Sequence, residues 1–102
     1  MPLDVNTGVF FEVHGPSAGR PVMVTLPLMA SFGAIFGSEL ESVLDGYLSK
    51  LTDRYRVLCV DYPSIGGSLD IAPELLTADR VCADMLGVAS AAGFDHFTYW
   101  GY

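Results

Sequence analysis

Val57-Leu58-Cys59-Val60-Asp61-Tyr62-Pro63-Ser64-Ile65-Gly66-Gly67-Ser68 sets an unbroken apolar, β-prone run directly against a turn of small residues. A run without polar alternation is the mark of a strand covered on both faces, and such strands belong to parallel sheets flanked by helices. The neighbouring segments agree. Upstream, Ser38-Glu39-Leu40-Glu41 has capping-box spacing, and Leu40, Val43, Leu44, Tyr47, Leu48 and Leu51 follow at helical intervals as one apolar stripe. Downstream, Thr77 as N-cap and Asp79 in the first turn open a second helix. It carries Val81, Met85, Leu86, Val88 and Ala89 as far as Ala92, and Gly93 supplies the residue that ends it.

Working outward, residues 22–26 form a second continuous apolar run and residues 96–100 a further strand. Residues 3–5 and 9–14 are β-prone pieces joined by Asn6-Thr7-Gly8, which predicts a hairpin because Asn and Gly tolerate turn conformations that other residues resist. The predicted order is β-β-β-α-β-α-β. Strands separated by single helices imply right-handed parallel crossovers, so the expectation is an α/β sheet with an antiparallel hairpin at its start followed by parallel strands. Ligands gather at the carboxyl ends of strands in such sheets, which directs attention to residues 27–37, 62–77 and the end of the sequence.

Composition bounds the function. About half of the 102 residues are hydrophobic, enough for a modest core and for one domain or part of one. A formal charge of -7, with only Arg20, Lys50, Arg54, Arg56 and Arg80 as basic residues, argues against a nucleic-acid partner. Met1-Pro2-Leu3-Asp4 lacks the features of a signal peptide and no apolar stretch has the length to span a bilayer, so no membrane association and a cytoplasmic location are expected. Cys59 and Cys82 lack metal-ligand spacing and read as buried reduced thiols. His14 and His96 have no partners at metal-binding spacing, and neither a metal nor any other cofactor is expected. Gly66-Gly67-Ser68 matches no nucleotide-binding pattern.

Three segments together resemble the N-terminal part of the α/β-hydrolase family. They are Val22-Met23-Val24-Thr25-Leu26-Pro27-Leu28-Met29-Ala30-Ser31, the stretch from Tyr55 through Ser68, and Phe97-Thr98-Tyr99-Trp100-Gly101-Tyr102. Each lies at the carboxyl end of a predicted strand. In that family the first loop usually reads His-Gly-x and its backbone N–H forms half of an oxyanion hole. The resemblance therefore implies Leu28 N–H as the oxyanion donor, with Pro27 and Met29 lining the pocket. Leu26-Pro27 departs from the family pattern, and proline has no N–H. In the second loop Asp61 and Pro63 match, Ser64 stands where glycine is frequent, and Asp61 is expected to accept hydrogen bonds from the Gly66-Gly67 turn.

The third segment resembles the first half of a G-x-S-x-G nucleophile elbow, with Gly101 and Tyr102 preceding the nucleophile position. The resemblance implies an incomplete sheet, one domain segment over residues 1–102, and a protein that hydrolyses an ester, amide or related bond of a small-molecule substrate. Nucleophile, acid and catalytic histidine would all lie beyond residue 102, leaving this segment inactive alone. In the hydrolase order the catalytic histidine follows the nucleophile, so His14 and His96 are read as structural or solvent-facing. Tyr99 and Trp100 are read as core and strand packing. Two alternatives stay open: a non-catalytic binding protein of the same fold, and a self-contained α/β interaction module. The sequence does not fix the oligomeric state.

Overall fold

A computed structural model of the chain describes residues 3–26, 31–35, 38–39 and 41–101. Four strands, β1 (Phe11–His14), β2 (Arg20–Val24), β3 (Tyr55–Val60) and β4 (Thr98–Trp100), form one sheet in the order β1-β3-β2-β4. β1 runs antiparallel to β3, while β2 is parallel to both β3 and β4. The helices are α1 (Phe32–Ile35), α2 (Glu41–Thr52) and α3 (Ala78–Ala91), with a short 3-10 turn at Pro73–Leu75.

Alternation along the strands splits the core into two layers. Val22, Val24, Val57 and Cys59 pack with Phe10, Phe32, Leu44 and Leu48 on the α2 face. Met23, Leu58 and Val60 pack with Val9, Met85, Val88, Ala89 and Phe94 on the α3 face. Continuous apolar strands thus serve two helical layers, as their composition requires.

α3 begins and ends where the sequence places it. Thr77 Oγ1 accepts the Arg80 N–H at 3.1 Å. At the other end Gly93 has φ +82, its N–H reaches Ser90 O at 3.0 Å, and Phe94 N–H reaches Ala89 O at 2.8 Å. Those two bonds make a Schellman motif, and Phe94 and Ala89 meet in the core as that motif prefers. α2 follows the predicted helical stripe and ends one residue beyond it, at Thr52, and a Cβ built on its Gly46 meets nothing within 4 Å. Gly46→Ala is therefore expected to raise stability by about 1 kcal/mol, read as a higher midpoint in urea.

Four expectations are corrected. Residues 3–5 do not form a hairpin strand; they contribute a single bridge, Leu3 to Phe10. The Asp4 carboxylate accepts both the Thr7 N–H at 3.1 Å and the Thr7 hydroxyl at 2.7 Å, and this side-chain turn outcompetes a β ladder, leaving Val5 94% exposed. β2 starts two residues earlier than the apolar run because Arg20 and Pro21 pair with Tyr55 and Arg56. Leu86 turns outward from α3, whereas Met85, Val88 and Ala89 are buried. Tyr99 and Trp100 are exposed on the edge strand rather than packed in the core. No helix among the described residues is long and apolar enough to cross a membrane.

Candidate functional site

Asp61 follows β3 at the carboxyl end of the sheet and is almost completely buried. Its Oδ1 accepts the Phe32 N–H at 2.7 Å. Its Oδ2 accepts the Ser31 hydroxyl at 2.8 Å, the Gly33 N–H at 2.9 Å and the Gly67 N–H at 3.1 Å. One carboxylate thus ties the turn after β3 to the segment that resumes after residues 27–30 and enters α1. Ser31 completes the cap, its Oγ accepting the Ala34 N–H at 3.1 Å. The sequence reading of Asp61 as a turn acceptor covers Gly67 only. The larger part of its role, holding a helix start some thirty residues upstream, has no local signal.

Two glycines let these segments close on one another. Gly66 has φ +53, and a Cβ there would collide with Ser31 Oγ. A Cβ on Gly33 would stand 2.7 Å from Gly67 N. Ser64, at a position where the resembled family often has glycine, adopts the left-handed conformation with φ 66. Its Oγ accepts the Ile71 N–H at 2.9 Å, which offsets the roughly 1 kcal/mol that this backbone region costs an L-residue. Ser68 locks the base of the turn by donating to Asp61 O and accepting from Phe10 N–H, both at 2.9 Å.

A second polar group lies nearby. The hydroxyls of Thr25, after β2, Tyr62, after β3, and Tyr99, in β4, approach one another at 3.1 Å (Thr25 to Tyr62), 2.8 Å (Thr25 to Tyr99) and 2.5 Å (Tyr62 to Tyr99). Burial leads the causes that push the Tyr99 phenol above its ordinary pKa, its bond to Thr25 opposes the shift, and its bond and charge coupling to Tyr62 reinforce it. Beside the three hydroxyls an open apolar cavity of about 400 Å³ is lined by Met23, Met85, Phe97 and Tyr99 among others.

The remaining candidates sort by environment. Cys59 is buried in β3, and burial first, then the carboxylates of Glu12 and Asp61, push its thiol up to about 12. Cys82, expected buried, is exposed on α3. A thiol reagent at pH 8 is expected to modify Cys82 rapidly in the folded chain and Cys59 only after denaturation, a difference that peptide mapping reads directly. His14 lies at the end of β1, 3.1 Å from Glu12, and His96 is exposed ahead of β4. No cluster of potential metal ligands occurs among the described residues.

The fold recurs in known proteins. A hydrolase from Pseudomonas aeruginosa PA01 superposes with a TM-score of 0.73 at 19% identity, over 91% of this chain and 31% of that one. A proline iminopeptidase-related protein from Thermus thermophilus gives 0.69 at 25% identity, over 92% and 31%. An alpha/beta hydrolase enzyme from a Medee basin deep-sea metagenome library gives 0.71 at 15% identity, over 91% and 31%. This is part of an α/β-hydrolase fold. Among curated proteins, the putative carbamate hydrolase RutD of Caulobacter vibrioides is 28% identical over 94 residues, 91% of this chain and 32% of the relative. No protein-family model matches. The chain spans about a third of the length of the relatives it matches.

Within this hydrolase fold, Pro27, Leu28, Met29 and Tyr102, named from sequence, lie outside the described residues, while their flanks Leu26, Ser31 and Gly101 lie within them. Thr25 donates its N–H to Trp100 O at 3.1 Å, so the chain leaving β2 toward residues 27–30 and the chain leaving β4 toward Tyr102 start side by side. Sequence reasoning missed Ser31, Thr25 and the Tyr62–Tyr99 pair as parts of the site. The only sequence signal for Ser31 is its place as the N-cap of a four-residue helix, too short to stand out from a loop.

Proposed function

We propose that this chain is the N-terminal segment of one α/β-hydrolase domain whose protein hydrolyses an ester, amide or related bond of a small molecule. Carbamate, the substrate class named for RutD, falls within that group. The observation that carries the reading is the Asp61 clamp, which holds Ser31, Phe32 and Gly33, the residues that follow 27–30 in sequence, at the carboxyl end of the sheet, where β2 and the strand that leads into Gly101 end side by side. In this reading Leu28 N–H faces the developing oxyanion, worth about 3 kcal/mol of transition-state stabilisation, and Pro27 and Met29 line the pocket. Gly101 and Tyr102 lead into a sharp turn that presents the nucleophile. The nucleophile adds to the substrate carbonyl, the leaving group departs with a proton delivered by a later histidine, and water releases the acyl group. All three catalytic side chains lie after Tyr102, so residues 1–102 alone are inactive. The site needs no metal or organic cofactor, and the protein works in the cytoplasm without nucleic acid or membrane.

The test is covalent labelling of the full-length protein with a fluorophosphonate, followed by peptide mapping. Attachment at the residue following Tyr102 is the expected result. A protein that binds small apolar esters but neither labels nor turns them over would instead be a non-catalytic binder of the same fold.

A further inference from the structure

We propose that the hydroxyls of Thr25, Tyr62 and Tyr99 form a closed ring that positions the turn at Gly101; this rests on the functional reading above. The three oxygens stand at 3.1, 2.8 and 2.5 Å, so each is within hydrogen-bond reach of the other two. Each hydroxyl carries one proton. In a ring of three hydrogen bonds every proton is used, one donated per residue, and no donor remains for an outside group. The ring therefore does not serve as an oxyanion hole. It accepts only, and its role is geometric.

What it holds is visible in the packing around Gly101. A Cβ at Gly101 would collide with both Tyr99 Oη and Thr25 Oγ1, so the backbone of that residue lies directly on two members of the ring. Thr25 braces the same point a second way, through its N–H to Trp100 O. The ring joins the ends of β2, β3 and β4, three strands whose onward chains carry the 27–30 segment, the Asp61 turn and the expected elbow. β4 is only three residues long, so its own ladder to β2 gives the tip of the strand little restraint. A lateral brace from two neighbouring strand ends supplies it. Thr25, Tyr62 and Tyr99 are in this sense positioning residues, acting through Gly101 on the residue that follows Tyr102.

The experiment compares Tyr62→Phe, Tyr99→Phe, Thr25→Val and Thr25→Ser with the unmodified full-length protein, with Tyr55→Phe as a control on the opposite face of the sheet. Two quantities are read: amide exchange at Thr25, whose N–H reports the β2–β4 contact, and the fluorophosphonate kinetics separated into the maximal labelling rate and the half-saturating concentration. Removing a ring hydroxyl is expected to speed exchange at Thr25 and lower the maximal labelling rate by about tenfold while leaving half-saturation within about twofold. Thr25→Ser, which keeps the hydroxyl, restores both, and Tyr55→Phe changes neither. Unchanged exchange in both tyrosine variants overturns the ring as a brace. Faster exchange with an unchanged labelling rate overturns its control of the nucleophile. If the unmodified protein does not label at all, a serine nucleophile after Tyr102 is excluded, and the exchange data alone decide whether the ring holds Gly101.

Discussion

Asp61→Ala is expected to lower folding stability by about 4 kcal/mol, because it strands buried donors that each cost about 1 to 3 kcal/mol when left unpaired. The donors are the Ser31 hydroxyl and the backbone N–H groups of Phe32, Gly33 and Gly67. At the start of the four-residue α1 the Phe32 and Gly33 N–H groups both point to Asp61, and Ala34 N–H is held by Ser31 Oγ, itself bonded to Asp61. Asp61→Asn is predicted to recover little. Its amide nitrogen would face donors whichever way the side chain is turned, and two N–H groups pointed at each other repel. The measurement is the urea midpoint of the wild-type and both variants. A loss below about 1 kcal/mol in the alanine variant would mean that the clamp is incidental, on the scale of a single exposed hydrogen bond.

Gly66→Ala is the second large effect, with an expected loss of about 3 kcal/mol. Left-handed backbone costs an alanine about 1 to 2 kcal/mol, and overpacking adds about as much again. Both apply here, since Gly66 has φ +53 and its Cβ would land on Ser31 Oγ. The effect should not stay local. Moving Ser31 loosens its bond to Asp61, so Gly66→Ala and Asp61→Ala ought to be strongly non-additive, the double variant losing much less than the sum of the two. A double-mutant cycle on the urea midpoints reads this coupling. Additive losses would show that the turn and the clamp are separate devices.

How much was legible in the sequence follows from how local each determinant is. α3 was legible at both ends because Thr77, Gly93 and Phe94 act within one turn of the helix they delimit. The parallel layers were legible because residues 22–24 and 57–60 are apolar on both faces, and only a sheet between helices buries such runs. The hairpin at residues 3–5 was misread because β-propensity at Leu3 and Val5 is weaker than the two bonds that Asp4 makes to Thr7. α1 was invisible because it is only four residues long and its first N–H groups, of Phe32 and Gly33, are held by Asp61, 29 and 28 residues away in sequence. The hydroxyl ring was invisible for the same reason, since Thr25 and Tyr99 are 74 residues apart in sequence and meet only once β2 and β4 are paired. Tyr99 read as core packing because an aromatic residue in a strand usually is; here it is half-exposed and contributes its hydroxyl to Thr25 and Tyr62.

The site thus combines a legible frame with long-range polar contacts. Three parallel strand ends come from patterning. The contacts that orient the loops between them, Asp61 to Ser31, Phe32 and Gly33, and Thr25 to Tyr62 and Tyr99, are made by residues whose identity alone gives no hint of partner. The hydrolase reading depends on the frame and these contacts acting together on whatever follows Gly101.

The most direct test is the backbone conformation immediately after Tyr102, determined by crystallography of the full-length protein. The account predicts a sharp turn at the next residue, leading straight into a helix on the α3 side of the sheet, with the side chain at the turn facing residues 27–30. A chain that instead continues β4 as extended strand, or leaves it as an open loop, would contradict it.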